Sequence, residues 1–289
     1  MRLVSYNIQY SLGKDGRYDI GRIADAVRGA DVIALQEVER FYKRSGDINQ
    51  PAELSRRLPE YHWVYGPGLD LDASTANDEG HPVHRRRQFG NMLLSRTPIL
   101  STRSIMLPKF GTVVQFSLQR TAVEGVIATR NGHLRVYSIH LDHLADESRA
   151  AQVDAILDIH ARAPREGGAW TGEHRVEWSE GAAPPMPREA VLMGDFNFAP
   201  TSPLYPRIVG PKSPIYGRMN NLDGFIDAWV AAGHDEAEGA TCDNPSHEFG
   251  HRIDYCFVSA TLAPRIKQAW IDEKASGSDH QPIWTELDL

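Results

Sequence analysis

The chain has 289 residues, 31 basic and 38 acidic, for a net charge of −7 at neutral pH. That balance argues against a protein whose main task is to hold a nucleic-acid backbone, which ordinarily shows a basic footprint. Hydrophobic content of 41% with 24% charged residues fits a globular chain with a sizeable core and excludes the disordered and fibrous classes.

Two cysteines, Cys242 and Cys256, form no Cys-x-x-Cys pair and imply neither a disulfide framework nor a zinc knuckle. Met1 is followed at once by a strand pattern, without a basic and then apolar leader. No apolar run nears the roughly 18 residues that a bilayer span needs. No linker, repeat or low-complexity tract divides the chain. The expectation is a single cytoplasmic domain over residues 1–289.

Residues 3–7 read as a strand ending in Asn7. Asp19 then precedes Ile20, Ile23, Ala24 and Val27, the spacing of one helix face behind an N-cap. Residues 31–37 form a second strand, and it ends in Glu37. A short helix is predicted over 51–58, with Pro51 in its first turn, and a strand over 62–65. From Gly66 to Gln88 the pattern dissolves into Gly, Asp, Asn and Pro, which predicts a long irregular loop carrying Arg85, Arg86 and Arg87. Residues 89–94 and 99–107 read as strands around a hairpin-like turn at Arg96-Thr97-Pro98.

Residues 122–129 and 134–139 pair across Asn131-Gly132, a strong hairpin signal. The second strand runs into His140-Leu141-Asp142-His143. A helix follows from about Leu144 to Ala163, with Val153, Ile156 and Leu157 on one face. Residues 164–189 are a Pro- and Gly-rich insertion whose Trp170 and Trp178 could stack on a base or sugar or touch a lipid surface, packing the insertion onto the body of the protein being the commoner use and the expectation. A short helix is predicted over 225–232, with strands over 252–258 and 266–271 and a final strand after the polar loop 276–282.

Val191-Leu192-Met193-Gly194-Asp195-Phe196-Asn197 is the stretch around which the chemistry gathers. Three apolar residues predict a buried strand, and alternation lets Asp195 and Asn197 point together while Phe196 turns into the core. A carboxylate and an amide projecting from one strand end make a hard-oxygen site suited to a divalent cation and an attacking water. Asn7, Glu37, His140, Asp254, Asp279 and His280 also stand at strand edges, where ligands of α/β sheets collect. Each has a bland alternative when taken alone. Asn7 and Asp195 could form Asx turns, Glu37 a solvated strand end and His140 or His143 a helix entry. Asp254 could be a satisfied buried acid, and Asp279-His280 a cap.

Taken together, Ser5-Tyr6-Asn7, Leu35-Gln36-Glu37-Val38, Ser138-Ile139-His140-Leu141, Gly194-Asp195-Phe196-Asn197, Arg252-Ile253-Asp254-Tyr255 and Ser278-Asp279-His280 resemble the endonuclease/exonuclease/phosphatase superfamily of metal-dependent phosphoesterases. The motifs stand in family order from residue 5 to residue 280. The resemblance implies an α/β fold built as a four-layer α/β/β/α sandwich, two mainly antiparallel sheets with helices on both outer faces. It also implies Mg²⁺ or Mn²⁺ and hydrolysis of a phosphodiester or phosphomonoester by in-line attack of an activated water.

By the same resemblance Glu37 is the principal metal ligand, with Asn7 and Asp279 completing the shell. Asp195 aligns or deprotonates the water, and Asn197 helps to hold it or a phosphate oxygen. His280, oriented by Asp254, serves as base or as a cation on the phosphate, and His140 hydrogen-bonds a phosphate oxygen. Asn91 and one or more of Arg85, Arg86 and Arg87 are candidate phosphate contacts, against the alternative of a solvated charge run. Arg120 reads as a structural salt-bridge partner. His81, His84, His247 and His251 lie on loops that could approach the cleft.

Three substrate readings follow. The first is a small-molecule, sugar or lipid-headgroup phosphoester, favoured by the acidic balance and by His140-Leu141, which looks more like the sphingomyelinase, deadenylase and inositol-phosphatase-like branches than the abasic-site nucleases. The second is a DNA or RNA endonuclease or exonuclease of the repair type. The third is a non-catalytic interaction module, disfavoured because it would have no use for the ionisable set.

Overall fold

The computed structural model describes residues 1–178, 180–243 and 251–289. From the N-terminus come β1 (Arg2–Asn7), α1 (Ile20–Ala26), β2 (Val32–Arg40), α2 (Gln50–Arg57) and β3 (His62–Asp72). The short β4 (Thr75–Ala76) and β5 (Pro82–Val83) precede β6 (Arg86–Ser95), β7 (Ile99–Met106), β8 (Thr121–Thr129) and β9 (Gly132–His140). Then follow α3 (Asp146–Glu166), β10 (Ala190–Asp195), α4 (Tyr205–Val209), β11 (Lys212–Ser213) and β12 (Gly217–Arg218). The chain finishes with β13 (Phe225–Asp227), α5 (Ala228–Ala231), β14 (Asp254–Ser259), β15 (Ile266–Ile271) and β16 (Ile283–Leu287).

Two six-stranded sheets carry the architecture, in the orders β15-β16-β1-β2-β6-β3 and β13-β14-β10-β9-β8-β7. Pairing is antiparallel except for β1 with β2 and β9 with β10. Alternation along the central strands decides the layers. Leu3, Val32, Ala34, Val136, Val191 and Met193 meet between the sheets. Their neighbours Val4, Tyr6, Ile33 and Leu35 face outward against Ile23 and Val27 near α1 and Leu54 of α2. On the other sheet Tyr137, Ile139 and Leu192 pack with Val153 and Ile156 of α3 and Ile208 of α4. Both faces of each central strand are therefore apolar, which gives the α/β/β/α sandwich. Each such side chain, fully buried, contributes about 1.5–3 kcal/mol.

Local signals account for several boundaries. Asp19 caps α1 by accepting from the Gly21 N–H at 2.8 Å. Asn49 caps α2, whose Pro51 costs nothing because its missing N–H would have been unpaired in the first turn. The β8–β9 hairpin closes with Thr129 opposite Gly132.

Four expectations are corrected. Residues 66–88 are not an irregular loop: β3 continues to Asp72 and pairs with β6 as far as Asp72 opposite Arg86. Its glycines serve a close approach and a register shift near Pro67. A Cβ on Gly68 would sit 2.3 Å from the Gln119 carbonyl oxygen. The 96–98 turn does not close a hairpin, because β6 and β7 lie in different sheets. Over 225–232, the first three residues form an edge strand, and Asp227 caps the four-residue helix. Trp178 is 85% exposed instead of packing the insertion down, while Trp170 lies against His174.

Candidate active site

The ends of β1, β9 and β10, a bulge in β2 and the loop before β16 converge on one cavity of about 730 Å³. Gly194 lets β10 approach β9 closely. A Cβ there would stand 1.9 Å from the Ile139 carbonyl oxygen, so no side chain fits. Phe196 is fully buried and packs edge-on to Tyr255 and Phe257. That anchor fixes Asp195 and Asn197 on the cavity side.

Asp195 Oδ1 accepts the Asn197 N–H at 2.9 Å, which is an Asx turn, and Asn197 takes a left-handed φ of 52°. Its partner oxygen Oδ2 faces the cavity and accepts from Asn7 Nδ2 at 2.9 Å. The same Oδ2 stands 3.4 Å from His140 Nε2 and 3.8 Å from His280 Nε2. Burial and then the nearby Asp254 hold the Asp195 pKa above the ordinary carboxylate range. Asn7 repeats the pattern, with Oδ1 accepting the Gln9 N–H at 3.1 Å and Nδ2 turned to the cavity.

Glu37 does not end its strand, as its sequence position suggests. β2 runs on to Arg40, and Glu37 sits where the register with β6 shifts, between Leu35 and Val38, at a φ of 60°. Such a bulge re-aims one side chain out of the alternating pattern, here into the cavity. Glu37 keeps about 20% of its side chain open. It lies 3.4 Å from Asn7 Nδ2 and 4.0 Å from His140 Nε2. Burial pushes its pKa up to about 7, with Asp195 and Asp279 adding to the rise and Arg120 and His280 opposing it. A half-sequestered carboxylate suits a hard divalent cation, so Glu37 and the nearby Asp279 fit Mg²⁺ or Mn²⁺, whereas Asn7, expected to complete the shell, turns its amide nitrogen to the cavity and gives its oxygen to the Gln9 N–H. Asp279 is held by Gln9 Nε2 at 2.9 Å.

The donor atoms of Asp195, Asp254 and His280 lie within 4.8 Å of one another, as do those of Cys242, Asp279 and His280. His280 is nevertheless committed elsewhere, since its Nδ1 bonds Asp254 Oδ2 at 2.7 Å. Burial opposes the charged ring, but the Asp254 carboxylate prevails and raises His280 well above the ordinary imidazole range. His140 goes the other way. Burial, reinforced by Arg120, lowers its pKa far below the ordinary value and keeps it neutral.

Arg120, expected to be a structural ion-pair partner, is the residue the sequence hid. It is 5% exposed and lines the cavity, with Nη1 3.0 and 3.1 Å from the two His140 ring nitrogens and Nη2 3.0 Å from His143 Nδ1. Among the described residues it forms no salt bridge, and its Nε has no partner. Burial lowers its pKa, against the pull of Glu37 and Asp195. No sequence signal marked it, because its neighbours are all brought in from other strands.

The remaining candidates divide. Asn91 is 2% exposed, and its amide joins the sheets by donating to the Thr121 and Ser138 carbonyls at 2.7 and 3.1 Å, so it does not face the cavity. Arg85 pairs with Asp47 at 2.6 Å and Arg86 with Asp70 at 2.9 Å, while Arg87 lines the cavity. His81 and His84, both exposed, and the partly buried His251 lie outside the cavity lining. His247 lies outside the described residues.

A family model for the endonuclease/exonuclease/phosphatase family matches residues 4–280. The chain belongs to that family. Solved structures of similar fold include a member from Beutenbergia cavernae, at 23% identity and TM-score 0.67 over 100% of this chain and 71% of that one. A mannosyl-6-phosphatase from Bacteroides thetaiotaomicron aligns over 100% of both chains at 18% identity and TM-score 0.65. A 3′ phosphatase from Neisseria, bound to a product DNA hairpin, aligns over 100% of both chains at 16% identity and TM-score 0.57. No curated protein sequence matches significantly. The family carries phosphoesterase chemistry on this sandwich, and no helix among the described residues is long and apolar enough to cross a membrane.

Proposed function

We propose that the chain is a divalent-metal-dependent phosphoesterase that hydrolyses a small phosphoester, with Asp195 at the centre of the reaction. The observation that carries this reading is the sharing of one carboxylate oxygen, Asp195 Oδ2, by Asn7, His140 and His280 at 2.9, 3.4 and 3.8 Å. A carboxylate whose pKa is raised by burial is a better proton acceptor for water than an exposed one.

Mg²⁺ or Mn²⁺, held by Glu37 with Asp279, would supply positive charge against the phosphate oxygens. Asp195 orients the attacking water and takes its proton, while Asn197 and Asn7 hold the carboxylate's direction. His280, charged through Asp254, donates from Nε2 to a phosphate oxygen and acts as an electrostatic stabiliser instead of a base. His140 is a neutral donor, and Arg120 behind it adds a fixed positive charge as negative charge builds in transit.

The acidic net charge and a cavity of about 730 Å³ favour a small substrate over a nucleic-acid duplex. The mannosyl-6-phosphatase and the DNA 3′ phosphatase of similar fold bracket the range that this architecture admits. The test is hydrolysis of p-nitrophenyl phosphate, bis-p-nitrophenyl phosphate and an abasic duplex after chelation, then with Mg²⁺ or Mn²⁺ restored. Turnover of the small esters is expected to vanish with chelator and return with metal. Metal-independent turnover would overturn the mechanism, and preference for the abasic duplex would overturn the substrate class.

A further inference from the structure

The cavity that holds Asp195 has a second chemical character on one wall. Lys43, Arg44 and Arg87 line it together with Tyr10 and Tyr42, in a chain of net charge −7. Among the described residues Lys43 and Arg87 form no salt bridge, unlike Arg85 and Arg86 beside them in sequence. Arg87 lies over the Tyr42 ring at 5.8 Å, and its Nε donates to the Phe41 carbonyl at 3.2 Å. Arg44 lies 3.8 Å over the Tyr10 ring and is tied to the buried Glu39.

This wall is built in advance. Phe41 and Asp47 hold left-handed φ values of 59° and 61°, and Asp47 is pinned to the β3–β6 arm by Arg85 at 2.6 Å. Arg85 also stacks on Phe41 at 4.1 Å. Ser45 Oγ donates to Glu39 Oε2 at 2.7 Å, which fixes the turn that carries Lys43. Cations held by such a network are positioned without further loss of backbone freedom.

Arg44 and Tyr10 lie within electrostatic reach of Glu37, while Lys43 and Arg87 stand farther along the backbone. Arg40 stands three residues beyond Glu37 along β2, about 10 Å at ~3.3 Å per residue. Arg40 pairs with Gln88, so Arg87 lies level with that far end, and Lys43 follows it in the turn. On the phosphoesterase reading the scissile phosphate is met by Arg120, His140 and His280 on the cavity floor.

We propose that this basic, aromatic wall is a second anion subsite, which takes a further phosphate or carboxylate carried by the substrate away from the scissile ester. The substrate class is then a small phosphoester with two separated anionic groups, such as a nucleoside or sugar bisphosphate. This rests on the phosphoesterase reading above only for which group is cleaved; the subsite itself is read by binding.

Calorimetry in the presence of Mg²⁺ compares thymidine 3′,5′-diphosphate with thymidine 5′-monophosphate, and glucose 1,6-bisphosphate with glucose 6-phosphate. The doubly anionic member is expected to bind about tenfold tighter or more, the size of one charge-assisted contact. In Lys43→Ala and in Lys43→Ala/Arg87→Ala the preference should fall step by step to within twofold, with the melting temperature showing the fold retained. A preference confined to the nucleotide pair supports the subsite with a stacked base, and a preference in both pairs supports it for sugars as well. Equal affinity within both pairs, or a preference that survives the exposed Lys43→Ala and the double variant, would overturn the proposal. Absence of any ester hydrolysis alongside a retained preference would sink the phosphoesterase reading and leave the subsite standing.

Discussion

At the scale of the residue, the Asx turn and the proposed catalytic role of Asp195 are compatible, because they use different oxygens. One oxygen closes an Asx turn onto the Asn197 N–H, and the other faces Asn7, His140 and His280. Asn7 divides its two amide atoms in the same way. Local sequence shows that a turn is possible; the second atom's partners come from strands far along the chain, and so local sequence is silent about them. Arg120 illustrates the same limit from the other side. Nothing within a few residues of it signals a role, because His140 and His143 reach it from the β9 end. A buried guanidinium with two imidazoles and no carboxylate partner is costly unless an anion visits it. Arg120→Ala is therefore expected to lower kcat by about 10²–10³, in the range for loss of one preorganised donor, with partial recovery in Arg120→Lys. Unchanged kcat in steady-state assays of both variants would remove Arg120 from the site.

At the scale of the element, apolar strands were legible and irregular ones were not. Residues 191–195 read directly as a strand because both of its faces are apolar. The β3–β6 arm was misread since its Gly and Pro residues, ordinarily turn signals, here allow a bulge and close backbone contact. Glu37 lines the cavity for a reason that its place in the sequence does not give: a bulge, not a strand end, turns it inward.

One buried network away from the site sets an acid limit on the second sheet. Arg103 clamps Glu124 at 2.7 and 2.8 Å, Arg135 reaches Tyr137 at 3.1 Å, and Arg135 Nη2 donates to His160 Nδ1 at 3.0 Å. Burial and the adjacent Arg135 lower the His160 pKa to about 4. In the unfolded chain the ring takes its proton near its ordinary 6.5, and in the folded chain only near 4. Between those values the unfolded state binds more protons, so stability falls as pH drops from about 6.5 to about 4. With the ring partly exposed, the loss is about 1–2 kcal/mol. Thermal melts across this window should show the slope in the wild type and a shallower one in His160→Gln. Identical slopes would separate His160 from acid sensitivity.

At the scale of the whole molecule, the sandwich solves a placement problem. Residues 7, 37, 140, 195 and 279–280 are scattered over the chain, yet β1, β2, β9 and β10 are the central strands of the two sheets, and their ends meet at one edge of the interface. The fold was legible from six motifs in order, each tied to a strand context. The substrate was not, since the motifs mark the family as a whole and not one phosphoester. The distinguishing wall comes from a turn and a hairpin arm that carry no motif.

The central claim is that the cavity-facing oxygen of Asp195 performs proton chemistry on the attacking water. Asp195→Asn tests it most directly, because an amide oxygen still accepts the Asn197 N–H and closes the turn while the carboxylate is lost. The measurement is Mn²⁺-supported turnover of bis-p-nitrophenyl phosphate by wild type and Asp195→Asn, with melting temperature as the control for folding. The account predicts a fall in kcat of about 10²–10⁴ at a retained melting temperature. Turnover within a few-fold of wild type would contradict it.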